Sequence, residues 1–467
     1  MFNLEKHKDS IAAINDCNEE LKYSDLIDFS EVFYSWVGKR TLIFIMCKNC
    51  FSSLKGYVAC IEKGIVPLLL DAGMDKELLD NLIHVYQPEF IWGPCDSHLN
   101  ESYQSENSDG AYSLWKTGYD CPELFEELGL LLNTSGSTGA SKLVRQSYRN
   151  VESNMMAIAD YLNLDAGERP ITTLPMQYTY GLSIINSHLY VGATILITDF
   201  GIMQKEFWAF FRDQQATSFG GVPYTYEMLK RLRIFRMDLP SLKTMTQAGG
   251  KLTPELHKEF AEYAKESGRQ FIVMYGQTEA TARMSYLPAD KSLEKYGSMG
   301  IAIPGGKFSI IDAEGNEIVA PETVGELVYE GENVTLGYAE NRQDLKLGDE
   351  RKGRLVTGDM AKFDEDGFFY IVGRKKRFLK IFGNRVNLDE VDRLVKTEFN
   401  NIECASSGTD DHLYIFITED TFRDDIKKYV SEKTGLNHVA IKVKTIESIP
   451  KSDSGKVLYT ELNKLCD

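Results

Sequence analysis

Apolar positions along the chain fall into two alternating textures. Residues 41–47 form an apolar run of strand length, and Phe51, Leu54, Val58 and Ile61 then recur at helical spacing. An extended run returns at 65–70, a helix is expected at 78–86, and Glu89-Phe90-Ile91-Trp92 reads as the next strand. Leu130-Leu131-Leu132 is a further buried strand. The alternation then resumes, with helices expected at 151–162, 183–190, 205–213 and 224–234. Strands are expected at 171–174, 193–197, 217–219, 242–247 and 270–274. Strand alternating with helix predicts a mostly parallel α/β sheet, so the fold class is α/β. Residues 97–119 are polar and rich in Ser, Asn and Gly, and a connecting loop or excursion is expected there.

From Ile310 the texture changes. Short β runs alternate with turns such as Ala313-Glu314-Gly315-Asn316 and Asp364-Glu365-Asp366-Gly367, which predicts a β-rich subdomain. The basic block Gly373-Arg374-Lys375-Lys376-Arg377 follows, and beyond it lie helix, strands and helix, enough for a small α+β domain. The expected organisation is a large N-terminal domain, 1–375, of α/β layers plus the β-rich subdomain, and a small C-terminal domain, 376–467.

Composition narrows the picture. A chain of 467 residues with 43% hydrophobic positions is globular and too long for one ordinary core. A net charge of -17 argues against a broad nucleic-acid surface, although a local positive pocket for a nucleotide remains compatible with it. Residues 1–6 lack the charged-then-apolar plan of a signal peptide, and no apolar stretch reaches membrane-spanning length. No membrane role and a cytoplasmic location are expected. Cys47 and Cys50 form a lone C-x-x-C; without a second such pair they are expected to be buried thiols rather than a redox or zinc site.

Four stretches carry candidate chemistry. Thr134-Ser135-Gly136-Ser137-Thr138-Gly139-Ala140-Ser141-Lys142 offers backbone N–H groups, hydroxyls and a lysine, a cradle for phosphate oxygens or else a plain Ser/Gly loop. It is not a Walker loop, because Ser141 rather than glycine precedes the lysine. Tyr275-Gly276-Gln277-Thr278-Glu279 lies at the carboxyl end of a strand, where open α/β sheets bind ligands. There Tyr275 could stack on a base, Thr278 donate to a phosphate, and Glu279 hold Mg2+. Thr357-Gly358-Asp359 offers a carboxylate for two ribose hydroxyls or is an ordinary turn aspartate. Pro450-Lys451-Ser452-Asp453-Ser454-Gly455-Lys456 is a mobile arm ending in a lysine.

In this order and spacing the four stretches resemble the superfamily of adenylate-forming enzymes: acyl-CoA synthetases, adenylation domains of nonribosomal peptide synthetases, and firefly luciferase. The resemblance runs from about residue 21 to residue 456. It implies that Thr134, Ser135, Gly136, Ser137, Thr138, Gly139 and Lys142 bind phosphate. It assigns Ala248, Gly249, Gly250, Tyr275 and Gly276 to the adenine side, and Asp359 with Arg374 to the ribose. Glu279 holds Mg2+ beside Thr278, Lys376 is the hinge, and Lys456 is the catalytic lysine. Ser141 and Leu143 stand where relatives usually carry proline and glycine, and Arg354-Leu355-Val356-Thr357 lacks an aromatic residue often found before the ribose aspartate.

The implied activity is an AMP-forming carboxylic acid–thiol ligase that uses ATP and Mg2+. An acyl or aryl acid is adenylated, the small domain turns, and the acyl group passes to a pantetheine thiol, either CoA or an acyl carrier protein acting in trans. Pro175-Met176-Gln177-Tyr178-Thr179-Tyr180-Gly181-Leu182 resembles the stretch that lines the acyl pocket. Tyr178, Tyr180, Gly181, Tyr224 and Ala248 are its candidate walls, with core packing as the competing role for each tyrosine. From 175 to 190 there is no acidic residue to pair with a substrate ammonium, which favours an uncharged acyl or aryl acid. Two other readings are a free-standing amino-acid activator that loads a carrier protein, and an inactive nucleotide-binding relative.

Overall fold

Two α/β sheets account for the alternating pattern. The computed structural model describes residues 1–467 except 98, 100, 101, 134–141, 382, 383, 400, 401, 409–411, 435, 452–456 and 467.

In the eight-stranded sheet, Leu128–Asn133, Val66–Asp71, Leu42–Cys47 and Phe90–Pro94 run parallel side by side. Nearly every residue of these strands is buried, as a sheet covered on both faces requires. Ile43, Ile45 and Cys47 pack with Leu26, Phe33, Leu54 and Val58 of helices Tyr23–Val37 and Phe51–Lys63. The alternate positions Leu42, Phe44 and Met46 pack with Leu79, Leu82, Ile83 and Tyr86 of helix Lys76–Tyr86. That helix starts where the Asp75 carboxylate accepts from the N–H groups of Glu77 and Leu78. Cys47 is buried, Cys50 is half-buried, and both are free thiols.

The nine-stranded sheet has Ser218–Gly221, Thr244–Gln247 and Gln270–Tyr275 parallel, with Ser285–Tyr286 returning antiparallel at the last. Helices Thr179–Tyr190, Lys205–Asp213, Pro223–Arg231 and Pro254–Glu266 lie between its strands in sequence.

The loop expected at 97–119 is corrected: it contains strands Ser105–Ser108 and Tyr112–Lys116, paired antiparallel at the sheet edge. Tyr112, Leu114 and Trp115 are buried there, and Gly110 turns the chain with φ 95°. An edge strand needs few apolar residues, so the polar composition around it conceals it.

Compactness divides the chain into Met1–Phe308 with Tyr329–Leu355, and Ser309–Val328 with Val356–Asp467. Strand Arg354–Phe363, which lies in the second unit from Val356 on, pairs antiparallel with Phe369–Arg374 from Asp359↔Arg374 to Phe363↔Phe369. Further on, Cys404–Gly408, Leu413–Ile417 and Ile441–Thr445 form a three-stranded sheet. Val391 and Val395 of helix Leu388–Glu398 and Ile426 and Val430 of helix Arg423–Thr434 share its core, giving the expected small α+β arrangement. Among the described residues no helix is long and apolar enough to cross a membrane.

Candidate functional site

The tip of strand Gln270–Tyr275 is shaped by backbone geometry. At Gly276 a Cβ would lie 1.6 Å from the Ala282 carbonyl oxygen, so only glycine allows the chain to fold back there. A short 3-10 turn, Thr278–Ala280, follows and places Glu279 just beyond the strand's carboxyl end. Its backbone carbonyl accepts from the Thr335 N–H at 3.1 Å and the Thr335 hydroxyl at 3.0 Å. Arg351 donates to the same carbonyl at 3.2 Å and to the Thr335 hydroxyl.

The Glu279 carboxylate takes a hydrogen bond from the Tyr338 hydroxyl, 2.6 Å from Oε1. Oε2 accepts none among the described residues. Tyr338 lies on the edge strand Gly337–Ala339, paired antiparallel with Leu143–Ser147. Burial, and then the neighbouring Glu279, push its phenol up to about 12, so Tyr338 stays a donor across the physiological range. The Arg351 guanidinium sits 4.6 Å from its ring centre and the Lys142 ammonium 5.9 Å. Lys142 is ion-paired with Glu340 at 2.5 Å. Fully buried Arg145 ties this corner together, donating to the Tyr338 carbonyl at 2.9 Å and pairing with Glu350 at 2.5 Å. Gln146 reaches the Thr278 carbonyl at 3.4 Å. The segment holding Lys142 and the segment holding Glu279 thus meet through the strand that carries Tyr338.

Thr134, Ser135, Gly136, Ser137, Thr138, Gly139 and Lys456 lie outside the described residues. The flanks of the first group are described: Asn133 and Leu143 pair across an antiparallel ladder, so the Ser/Gly stretch connects two adjacent strands. Gly249 has φ 79°, and a Cβ on it would lie 2.6 Å from the Tyr178 hydroxyl. On Gly250 a Cβ would lie 2.9 Å from Pro223 Cγ, so both positions suit glycine.

Tyr180 and Ala248 belong to an apolar cluster with Ile158, Leu174, Ile272 and Met274, and Tyr178 packs against it. The Tyr180 hydroxyl is 2.7 Å from the Thr246 hydroxyl. A Cβ on Gly181 would lie 2.4 Å from the Pro175 carbonyl oxygen, so the glycine serves close packing of its helix. Tyr224 is 57% exposed on the first turn of Pro223–Arg231. Nearby, a cavity of about 10 Å3, lined by Asn154, Ile158, Thr179, Leu182, Ser183 and Thr281, has room for about one water.

In the second unit Asp359 is buried and ion-paired with the opposite strand's Arg374 at 2.8 Å. The Asp359 N–H donates to the Thr357 hydroxyl at 3.1 Å, and that hydroxyl donates to the Leu327 carbonyl at 2.9 Å. Asp359 therefore sits within a strand, not a free turn, which is why its carboxylate is held so firmly.

Residue spacing did not single out Tyr338, Arg351 or Thr335. Tyr338 stands 59 residues after Glu279, and only strand pairing brings the two together.

Comparison with known proteins adds to this geometry. A family model described as AMP-binding enzyme matches residues 4–339. A probable CoA ligase from Humulus lupulus is 30% identical over 360 residues, which is 73% of this chain and 64% of the relative. A long-chain-fatty-acid–CoA ligase from Salmonella typhimurium is 31% identical over 368 residues, 74% of this chain and again 64% of the relative. The chain thus spans under two thirds of the length of these relatives. A 2-succinylbenzoate–CoA ligase from Bacillus mycoides is 27% identical over 455 residues, covering 92% of this chain and 90% of the relative. Among solved structures, o-succinylbenzoate CoA synthetase from Bacillus subtilis in complex with its acyl-adenylate intermediate aligns with a TM-score of 0.80 at 20% identity. That alignment covers 98% of this chain and 97% of the other, a likeness of fold.

Proposed function

Because the chain belongs to the family of AMP-binding enzymes, we propose that it is an AMP-forming carboxylic acid–thiol ligase. A carboxylate oxygen attacks the α-phosphorus of ATP and pyrophosphate leaves. A pantetheine thiol then attacks the acyl carbon, AMP leaves, and a thioester remains. The observation that carries this reading is Glu279, pinned at a strand's carboxyl end by Tyr338 and Thr335, beside the strand that follows Lys142.

The donor set suits magnesium. Among the described residues no cluster of three His, Cys, Asp or Glu side chains exists to cage a metal. Magnesium commonly uses one or two carboxylates with substrate phosphates and waters, and Glu279 Oε2 is open for that role. When bound, the ion neutralises charge on the phosphates. A solved structure of the Bacillus subtilis enzyme is a complex with ATP and magnesium ion, which supports magnesium as the companion of ATP.

The remaining roles belong to this chain's side chains. Thr134, Ser135, Gly136, Ser137, Thr138, Gly139 and Lys142 hold the outgoing pyrophosphate. Lys142 must leave Glu340 to do so, a small step for two half-exposed groups. Thr278 donates to phosphate, while Gly249, Gly250, Tyr275 and Gly276 frame adenine. Asp359 accepts from the ribose hydroxyls, with Arg374 holding its other side. Lys456 steadies the charge shared by the carboxylate and the α-phosphate. The part 376–467 turns about Lys376 between the two half-reactions.

Relatives named CoA ligases favour CoA as the acceptor over a carrier protein. The compartment we assign is the cytoplasm, which cell fractionation tests. Pyrophosphate exchange across fatty, aryl, dicarboxylic and amino acids tests the activity. Exchange with one class of acid supports the reading, exchange with amino acids alone replaces it with the amino-acid activator, and AMP formation with none refutes it. Lys456→Ala is expected to abolish adenylation, a loss of about 100-fold or more. It should spare thioester formation from supplied acyl-adenylate; equal loss of both steps would overturn the assignment.

A further inference from the structure

Arg283 is 2% exposed, and no carboxylate pairs with it among the described residues. Its partners are all neutral. Nε donates to the Ser183 hydroxyl at 3.0 Å, and Nη1 to the Tyr161 hydroxyl at 3.0 Å and the Met274 sulfur at 3.4 Å. The guanidinium lies 5.2 Å from the centre of the Tyr180 ring. Nη2 has no hydrogen-bond partner among the described residues.

A buried charge without a counter-ion is costly, and most side chains escape by losing the charge. His188, also buried, does so: burial holds it down to about 4 and the nearby Arg283 adds to that, so its imidazole is neutral. A guanidinium has no such escape, because it stays protonated in proteins. A cation therefore persists in an apolar setting with N–H donors left over.

Its position is the second observation. Tyr180 and Ser183 come from the helix that begins within the stretch resembling an acyl-pocket wall, and Met274 directly precedes Tyr275. Tyr161 stacks on Tyr286 at 4.2 Å, and both rings pack against the cluster containing Tyr180, Ala248 and Met274. Ser183, the acceptor of Nε, also lines the small cavity beside that cluster.

We propose that the acid activated by this chain carries a second carboxylate, and that Arg283, with the Ser183 and Tyr161 hydroxyls around it, binds that group. This rests on the ligase reading and sharpens it. It also departs from the uncharged acid expected from sequence. The absence of acidic residues at 175–190 still disfavours an ammonium, but the buried cation asks for an anion. A planar fork suits a carboxylate, which accepts two parallel N–H bonds.

The test uses the full chain with α,ω-diacids from malonate to suberate and with isophthalate, each beside its monomethyl ester. Calorimetric binding and AMP formation are both measured. The wild type should favour at least one diacid over its monoester by about 100-fold or more, because a site built for a polar group rejects the analogue lacking it. Arg283→Met should erase that preference, and Arg283→Lys should restore part of it, with circular dichroism melts confirming folding. Should Arg283→Met not fold, Arg283→Lys decides: a reduced but surviving diacid preference supports the proposal, and an unchanged ratio overturns it. Wild-type preference for monoesters, or equal loss of both ligands in Arg283→Met, also overturns it. Diacid binding that depends on Arg283 without AMP formation would uphold the carboxylate-binding role of Arg283 and sink the ligase reading. Adenylation of monoacids with no diacid preference would do the reverse.

Discussion

Gly276 and Tyr338 govern the same carboxylate by opposite means, one through backbone and one through a side chain. Gly276→Ala would place a methyl 1.6 Å from the Ala282 oxygen, and backbone cannot give way as a long side chain can. The substitution is expected to cost more than about 3 kcal/mol in urea unfolding of the first unit, or to prevent its folding. Tyr338→Phe removes the donor to Glu279 and keeps the ring beside Arg351 and Lys142. Losing a hydrogen bond to a charged group should raise the KM for magnesium-ATP about 10-fold with the melting temperature nearly unchanged. An unchanged KM would show that Tyr338 does not position Glu279. At this scale the sequence motif pointed to Glu279, whereas Tyr338 has no motif of its own. Arg283 was passed over for the same reason: an arginine reveals its lack of a partner only when its surroundings are known.

Helices and loops add a pH dependence. His257, on helix Pro254–Glu266, accepts from the Gly297 N–H at Nδ1 and contacts the Ser292 hydroxyl through Nε2, each at 3.1 Å. An accepting Nδ1 requires the neutral ring, and burial holds His257 down to about 4. In the unfolded chain an imidazole takes its proton near 6.5, so between 6.5 and 4 the unfolded state binds more protons. This contribution is whole above about 6.5 and drains away as pH falls toward 4. His257→Gln should therefore show on the order of 2–3 kcal/mol less loss of unfolding free energy than wild type between pH 7 and 4, by urea titration. Equal slopes would refute it. Elements with strong periodicity, such as Lys76–Tyr86 and Leu42–Cys47, were legible from spacing. The hairpin at 105–116 was not, because an edge strand is half-solvated and its polar residues imitate a loop.

At the scale of the whole molecule, the residues around the proposed hinge are tied on both sides. Arg374 pairs with Asp359 at 2.8 Å and Lys375 with Glu326 at 2.7 Å. Arg377 pairs with Asp389 and Asp392, each at 2.7 Å, donates to the Ser406 carbonyl and stacks 3.8 Å from the Tyr459 ring centre. These anchors on either side leave Lys376 as the residue about which the proposed turn would occur. Lys376→Pro, which locks φ, should slow thioester formation about 10-fold or more in single-turnover assays while leaving pyrophosphate exchange within a few-fold. Equal slowing of both would remove the hinge role from this residue.

By itself the sequence determined the α/β class, the kinship and the order of the stretches proposed for phosphate, strand-tip and ribose roles. Those features rest on local spacing and on the residue types that stand at positions such as Gly276, Glu279 and Asp359. Only the tertiary structure decided that Tyr338 holds Glu279 and that Arg283 is a buried cation without a counter-ion. Both depend on what distant segments bring within a few ångströms and on how much water they exclude, and linear order encodes neither.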